Sequence, residues 1–140
     1  MLFPKKTKFR KWQTRRQHAE KIAQPAQRGT TVAFGSFGLK ATSSARVTSN
    51  QIEAARRAAS REAGKAAKMW IRIFPDRPFT AKAAEVGMGK GKGEPQGYVA
   101  EVRPGRVLFE LDGIPEAQAR AALRKAGMKL PVTVKIVARD

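Results

Sequence analysis

The stretch PEAQARAALRKAGMKLPVTVKI, from Pro115 to Ile136, combines a helix pattern, a stop signal and a strand pattern. After Pro115, small and apolar residues recur at helical spacing, at Ala119, Ala122, Leu123, Ala126 and Leu130. This spacing predicts a helix with one buried face, opened by Pro115 at its first turn. Pro131 ends that helix, and apolar residues then alternate with polar ones, at Val132, Val134 and Ile136. The alternation predicts a strand directly after the helix, so the chain mixes both element types.

A second helix is predicted upstream, from Thr48 to Gly64. Thr48 and Gln51 have the spacing of a capping box, and Gly64 can end the helix. Its narrow apolar face consists of Ile52, Ala55, Ala59 and Ala63. Because three of these four residues are alanines, we expect the helix to pack closely on its neighbour, and we expect that neighbour to be a sheet.

Strand patterns occupy much of the remaining sequence. Residues 69–74 are β-branched, aromatic or long, and residues 31–41 predict a bent strand in which glycines mark bulges or a close backbone approach. Residues 98–102 and 106–111 predict a hairpin across a type II turn at Pro104-Gly105. The fold class predicted is α+β and sandwich-like, with two helices packed on mainly antiparallel strands.

Charge divides the chain into two parts. The 140 residues carry 29 Lys and Arg against 11 acidic residues, a net charge of +18, and 41% of them are hydrophobic. Residues 1–96 hold 21 of the cations and 6 of the acids, whereas residues 97–140 hold 8 and 5. A polyanion is therefore the expected partner, nucleic acid first and an anionic membrane surface second. The hydrophobic content excludes wholesale disorder, and the lack of cysteine excludes disulfides and thiolate metal sites.

We expect two regions, a basic arm and linker over 1–28 and a single domain over 29–140. Residues 1–16 contain seven cations and no acid, interleaved with Phe9 and Trp12. Cations that contact phosphates and rings that stack on bases are the composition of an RNA-binding arm. As an alternative, an amphipathic helix could place Phe9, Trp12, Ala19 and Ile22 on one membrane-facing side.

An extended loop is expected over about 76–97, and it contains GMGKGKG at 87–93. Glycines let backbone N–H groups approach an anion, and Lys90 and Lys92 add charge. No Ser or Thr follows either lysine, so the loop does not match the phosphate-cradling motif of nucleotide-binding proteins. We favour a loop that reaches into nucleic acid over a flexible linker or an enzyme's site for a phosphorylated substrate.

No catalytic constellation is evident. His18 lies in the basic arm without a partner of known geometry, and Glu110 and Asp112, on one side of a strand, are expected to be solvated. The predictions are therefore a non-enzyme with no catalytic residue, no metal and no cofactor.

Six motifs are spread along the chain: PKKTKFRK at 4–11, FGSFGLKA at 34–41, QIEAARRA at 51–58, WIRIFPD at 70–76, MGKGKG at 88–93 and DGIP at 112–115. Together they resemble the bacterial large-subunit ribosomal protein family uL16. They occur in the family's order and span nearly the whole chain. Two features depart from the family pattern. Gly87 stands where many members have an arginine, and the stretch 12–28 is longer and poorer in Gly and Arg than usual.

The resemblance implies a structural protein of the large ribosomal subunit, in the cytoplasm. It implies binding to large-subunit rRNA near the peptidyl-transferase centre, a role in late assembly and help in positioning aminoacyl-tRNA in the A site. Neighbouring ribosomal proteins are further partners, whereas membrane binding and self-association are not expected. The alternative is a free-standing architectural nucleic-acid-binding protein.

The candidate rRNA-binding residues are Lys5, Lys6, Lys8, Phe9, Arg10, Lys11, Trp12, Arg15, Arg16, Lys40, Arg46, Arg56, Arg57, Arg61 and Arg72. The resemblance implies a tRNA-proximal loop, made of Met88, Gly89, Lys90, Gly91, Lys92 and Gly93.

Overall fold

Two antiparallel sheets and two helices form the part of the chain that the computed structural model describes, residues 2–6, 24–81 and 94–139. The strands are β1 (Phe37–Ala41), β2 (Ala45–Thr48), β3 (Lys68–Ile71), β4 (Arg77–Ala81), β5 (Glu94–Val102), β6 (Val107–Asp112) and β7 (Val134–Ala138). The helices are α1 (Ser49–Ala63), between β2 and β3, and α2 (Glu116–Gly127), between β6 and β7. The predicted α+β class is confirmed.

Four strands form one sheet in the order β3-β6-β1-β7, and three form a second in the order β2-β5-β4. The predicted hairpin of 98–102 with 106–111 is wrong, because β5 and β6 belong to different sheets. The turn between them does form, with Arg106 N–H donating to Arg103 O at 3.2 Å and Gly105 at φ +97°. Gly105 N–H also donates to Ala41 O at 2.7 Å, and this contact with the end of β1 carries the chain into the other sheet.

The first helix begins as predicted. Thr48 N–H donates to Gln51 Oε1 at 2.9 Å, and Gln51 N–H donates to Thr48 Oγ1 at 3.1 Å. Gly64, at φ +83°, ends the helix by donating to Ser60 O at 3.0 Å. The apolar face of Ile52 and the three alanines is buried.

The main neighbour of α1 is α2 and not the sheet that the sequence predicts, but α1 also contacts β2 and β5 of the three-stranded sheet. The buried face of α2 consists of Ala119, Ala122, Leu123 and Ala126. Alanine on both faces lets the two helix backbones approach closely, and Gln118 Nε2 of α2 donates to Ala63 O of α1 at 3.1 Å. Neither α1 nor α2, the helices of the described ranges, has the length and apolar character that a membrane span requires.

Several elements differ in extent from the sequence prediction. α2 has Pro115 as its N-cap and ends at Gly127, before Pro131. A tight turn follows the helix, in which Leu130 N–H donates to Gly127 O at 3.2 Å, and Leu130 is buried there. Strand β3 covers only part of 69–74. Strand β4 and the start of β5 lie inside the stretch expected as a loop over 76–97, and Pro78 is tolerated because β4 is an edge strand.

The core lies between the four-stranded sheet and the helices. Leu39 of β1 pairs with Phe109 of β6, and all these side chains, with Leu111 and Leu123, are fully buried. Because side chains alternate along a strand, Glu110 and Lys40 project from the opposite face of this sheet. That face is the one that residues 24–36 cross.

Candidate nucleic-acid interface

Residues 24–36, here called the strap, lie against the face of the four-stranded sheet that does not contact the helices. Val107 N–H donates to Gly29 O at 2.7 Å, and Ser36 N–H donates to Leu111 O at 3.0 Å. A bent strand is predicted for 31–41, but only Phe37–Ala41 pairs as one. The strap does not pair as a strand because part of its backbone hydrogen-bonds to a side chain instead.

That side chain is the carboxylate of Glu110. Its Oε1 accepts hydrogen bonds from the backbone N–H groups of Ala33 at 3.0 Å, Phe34 at 2.8 Å and Gly35 at 2.8 Å. Its Oε2 accepts from Arg72 Nη1. The expectation that Glu110 is solvated is wrong, because its side chain is fully buried.

These bonds determine the protonation state of Glu110. Burial by itself would raise the pKa of Glu110, but the hydrogen bonds from Gly35, Arg72, Phe34 and Ala33 outweigh burial and lower that pKa. The carboxylate is therefore ionised at neutral pH and holds three consecutive backbone donors of the strap. Gly35 fits here because it has no Cβ, which would lie 2.6 Å from Leu111 O and clash with it.

An aromatic and cationic cluster lies on the outer side of the strap. The rings of Phe34 and Trp70 stack with centroids 6.1 Å apart and planes 21° apart. The guanidinium carbon of Arg72 lies 5.0 Å from the Phe34 ring centroid, a cation–π contact. Phe34 nevertheless remains 55% exposed, although it is a large apolar side chain.

The three arginines of α1 differ in their surroundings. Arg56 Nε donates to Glu53 Oε2 at 3.1 Å, and Arg57 Nε donates to Glu53 Oε1 at 3.2 Å. The hydrogen bond from Arg56 is the main reason that the pKa of Glu53 falls to about 2. Arg56 and Arg57 keep 40% and 69% of their side-chain surface exposed, and Arg61 lies exposed in the last turn. One carboxylate thus offsets part of the charge on this helix.

Two further candidate cations lie on strands. Lys40 of β1 faces Lys135 of β7 across the pair, on the strap side of the sheet. It lines a cavity of about 580 Å³ together with Thr30 and Arg139. Arg46 of β2 is exposed and lies opposite Glu101 of β5.

Comparison with known proteins identifies the family of this chain. Residues 4–137 match the family model described as "Ribosomal protein L16p/L10e". The large ribosomal subunit protein uL16 of Rhodospirillum rubrum is 55% identical over 139 residues, covering 99% of this chain and 97% of that protein. The uL16 proteins of Parabacteroides distasonis and Cereibacter sphaeroides are 54% and 53% identical, over 99% and 100% of this chain and 93% and 98% of their own lengths. The chain belongs to the L16p/L10e family of ribosomal proteins.

Membership of the L16p/L10e family makes the chain a structural protein of the large ribosomal subunit and not an enzyme. The chain is therefore located in the ribosome, which is cytoplasmic in bacteria. The resemblance recognised in the sequence is therefore confirmed. No group of three or more His, Cys, Asp and Glu side chains within 2–6, 24–81 and 94–139 could hold a metal ion.

Among the described residues of this L16p/L10e chain, the candidate cations do not form one patch, because Lys40 lies on the strap side of the sheet and others lie on α1. The exposed ones are Lys5, Lys6, Arg46, Arg57 and Arg61. Arg72 differs, since only 18% of its side chain is exposed and its guanidinium is paired with Glu110. It holds the strap in place, and its contact with rRNA stays a prediction.

Most of the predicted arm and the whole predicted tRNA-proximal loop of the L16p/L10e chain lie outside the described residues. From the arm these are Lys8, Phe9, Arg10, Lys11, Trp12, Arg15 and Arg16. From the loop they are Met88, Gly89, Lys90, Gly91, Lys92 and Gly93. His18 and Gly87 also lie outside.

Sequence reasoning missed the residues that fix the strap. Glu110 is the one charged side chain inside the otherwise apolar run 107–111, and that position was the available signal for a buried carboxylate. Phe34, Trp70 and Arg106 gave no such local signal, because their partners are distant in sequence.

Proposed function

We propose that this chain binds large-subunit rRNA mainly through phosphate groups and helps position aminoacyl-tRNA in the A site. The observation that supports rRNA binding is the way in which the acidic side chains are paired. In the described ranges, Glu53, Glu62, Glu101, Glu110 and Glu116 each pair with a cation of the chain itself. Exposed cations such as Arg61, Lys68 and Lys135 take part in none of these pairs.

An excess of exposed cations attracts a polyanion because binding releases the counterions condensed on its phosphates. Contacts to phosphate and sugar suit a folded rRNA, which presents shape more than readable base edges. The family supplies the partner, since the relatives named above are proteins of the large ribosomal subunit. The cations Lys5, Lys6, Arg46, Arg57 and Arg61 are the described residues we assign to these contacts.

The finer part of the proposal concerns tRNA and assembly. The family resemblance of MGKGKG at 88–93 supports a loop that reaches toward the A site, with Lys90 and Lys92 as its charges. The basic composition of 1–16 supports an arm that threads into rRNA during late assembly of the subunit.

The experiment for the rRNA part is cofractionation. The full chain, carrying a C-terminal tag, is expressed in a bacterium and the lysate is separated on a sucrose gradient at low and high salt. We expect the tagged chain in the large-subunit and whole-ribosome fractions at both salt concentrations. If the tagged chain instead sediments free of ribosomes and binds duplex DNA as well as rRNA, the free-standing architectural function is correct and this one is wrong.

A further inference from the structure

A half-buried arginine without a carboxylate partner lies beneath the strap. Arg106 donates from Nη2 to Arg72 O at 2.8 Å and from Nη1 to Arg28 O at 3.2 Å. Its Nε is buried and has no hydrogen-bond partner among the described residues. An arginine has five N–H donors, so these two bonds leave three N–H groups of Arg106 without a partner in the described part of the chain. None of the ion pairs found there includes Arg106.

The surroundings hold the Arg106 guanidinium in one place without neutralising it. Both of its acceptors are backbone carbonyls, and Gly29, at φ +65°, lies so close that an added Cβ would be 2.7 Å from Arg106 Cζ. Burial, together with the nearby charge of Arg72, lowers the pKa of Arg106. A cation that is partly desolvated and has no counter-charge favours the binding of an anion.

Cavities open on both sides of this arginine. One, of about 500 Å³, is lined by Arg28, Phe74 and Arg106, and the other, of about 530 Å³, by Leu2, Phe74 and Arg106. Each is large enough for one nucleotide. Phe74 lines both cavities and is 47% exposed.

The acidic residues of the first cavity do not neutralise Arg106. Glu101 pairs with the buried Arg77 at 2.9 Å, and the exposed Asp76 takes part in none of the ion pairs of the described residues. The cavity thus combines the uncompensated guanidinium of Arg106, the exposed Arg28 and the aromatic ring of Phe74. This is the chemistry that binds an unpaired nucleotide, with phosphate on the cations and the base on the ring.

We propose that Arg106 and Arg28 bind one phosphate of the large-subunit rRNA and that the base of the same or the adjoining nucleotide stacks on Phe74. This inference rests on the proposed rRNA binding and adds a specific nucleotide site to it. The occupant is an unpaired nucleotide, because a base within a duplex cannot present its face to a side chain. Arg72, whose guanidinium is paired with Glu110, positions the strap and is not part of the site.

The test measures binding of the full chain to large-subunit rRNA transcribed in vitro, over a series of salt concentrations. Arg28→Gln and Arg106→Gln combined are expected to reduce the slope of log affinity against log salt by roughly 0.7 to 0.9, the value for one phosphate contact, and each single variant is expected to reduce it by part of that amount. Arg124→Gln is the matched control, because it removes the same charge from α2, on the opposite face of the sheet. We expect its slope to equal that of the wild type.

Substitution of Phe74 is expected to change the affinity and not its salt dependence. Phe74→Leu keeps an apolar side chain but removes the planar ring, so we expect the affinity to fall about five- to hundredfold with the salt slope unchanged. Phe74→Trp, which retains a ring, should restore the wild-type affinity to within a few-fold. Equal loss in the Leu and Trp variants would show that stacking is not the contact.

Folding is followed by urea denaturation of every variant, since Arg106 is half-buried. Arg28 is exposed, so Arg28→Gln tests the site even if Arg106→Gln proves unstable. If wild-type protein binds the rRNA and both arginine variants keep its slope, the nucleotide site is wrong while the proposed function stands. If wild-type protein shows no salt-dependent binding to this rRNA, the proposed function itself fails.

Discussion

Arg72 donates a hydrogen bond to the buried carboxylate of Glu110, and through this pair the end of one edge strand is connected to the strap. Glu110 lies on β6 opposite Trp70 of β3, and Arg72 follows β3 directly. The same carboxylate accepts three backbone N–H groups from residues 33–35. One ionised side chain therefore holds both the strap and the cation that contacts Phe34.

The first prediction concerns the charge of Glu110. Glu110→Gln keeps the size of the side chain but leaves Arg72 without its counter-charge, so we expect the free energy of unfolding to fall by about 3 kcal/mol. Urea denaturation measures the change. Glu116→Gln is the control, because the pair of Glu116 with Arg120 is exposed and should cost less than about 1 kcal/mol. Equal losses in the two variants would contradict the role given to Glu110.

The second prediction concerns acid stability and Glu53. The pKa of Glu53 in the folded chain is about 2, below its ordinary value of 4.5, so its pairs with Arg56 and Arg57 stabilise the fold fully above that ordinary value. This contribution is lost as the pH falls from 4.5 toward 2. We therefore expect Glu53→Gln to lower the urea midpoint at neutral pH, and the difference from wild type to shrink below about pH 4.

Measurements at several pH values between about 7 and 3 test this expectation. The same series on Glu116→Gln corrects for the general effect of acid on a highly cationic protein. A difference between wild type and Glu53→Gln that stays constant over the whole range would show that Glu53 is not stabilised in its ionised form.

The third prediction concerns the close approach at Gly35. An added Cβ would lie 2.6 Å from the backbone oxygen of Leu111, which cannot move without disturbing β6. We expect Gly35→Ala to destabilise the chain by about 2 to 3 kcal/mol, a cost typical of overpacking. Gly105→Ala is the comparison, because Gly105 has φ +97° but nothing within 4 Å of an added Cβ, so we expect only about 1 kcal/mol. A larger loss for Gly105→Ala would reverse the interpretation.

The fourth prediction separates the α1 arginines from charge in general. Replacement of Arg56, Arg57 and Arg61 by Gln should leave the chain folded and reduce the salt slope of rRNA binding by about 2. The matched triple replacement of Arg120, Arg124 and Lys125 on α2 removes the same charge and should leave the slope unchanged. Equal slopes for the two triple variants would show that α1 contributes only net charge.

Local signals predicted the helices well. The capping box of Thr48 and Gln51 and the terminal Gly64 act over a few residues, so the sequence alone determined where α1 begins and ends. The family resemblance, carried by motifs spread along the chain, likewise required no structure. The Pro104-Gly105 turn was also correct, because its bond from Arg106 to Arg103 is local.

Partners that are distant in sequence escaped prediction. The strands on either side of that turn separate because Gly105 pairs with Ala41, a contact across more than sixty positions. Glu110 was expected to be solvated because its acceptor role depends on a strap about 75 residues away. Likewise, the sequence identified Arg72 as a cation but could not show that Glu110 already pairs with it.

The last prediction concerns the loop charges that the resemblance assigns to the tRNA side. Replacement of Lys90 and Lys92 by Glu should leave the urea midpoint of the chain unchanged and impair aminoacyl-tRNA binding to ribosomes that contain the variant, because each reversed charge repels the phosphates of the tRNA. The measurement is filter binding of aminoacyl-tRNA to the A site of purified ribosomes. Replacement of Lys65 and Lys129 by Glu, which reverses the same charge within the described surface, is the control for general repulsion. If ribosomes with the loop variant bind aminoacyl-tRNA as well as wild-type ribosomes do, the loop does not position tRNA through these lysines, whereas the rRNA contacts of α1 would be unaffected by that result.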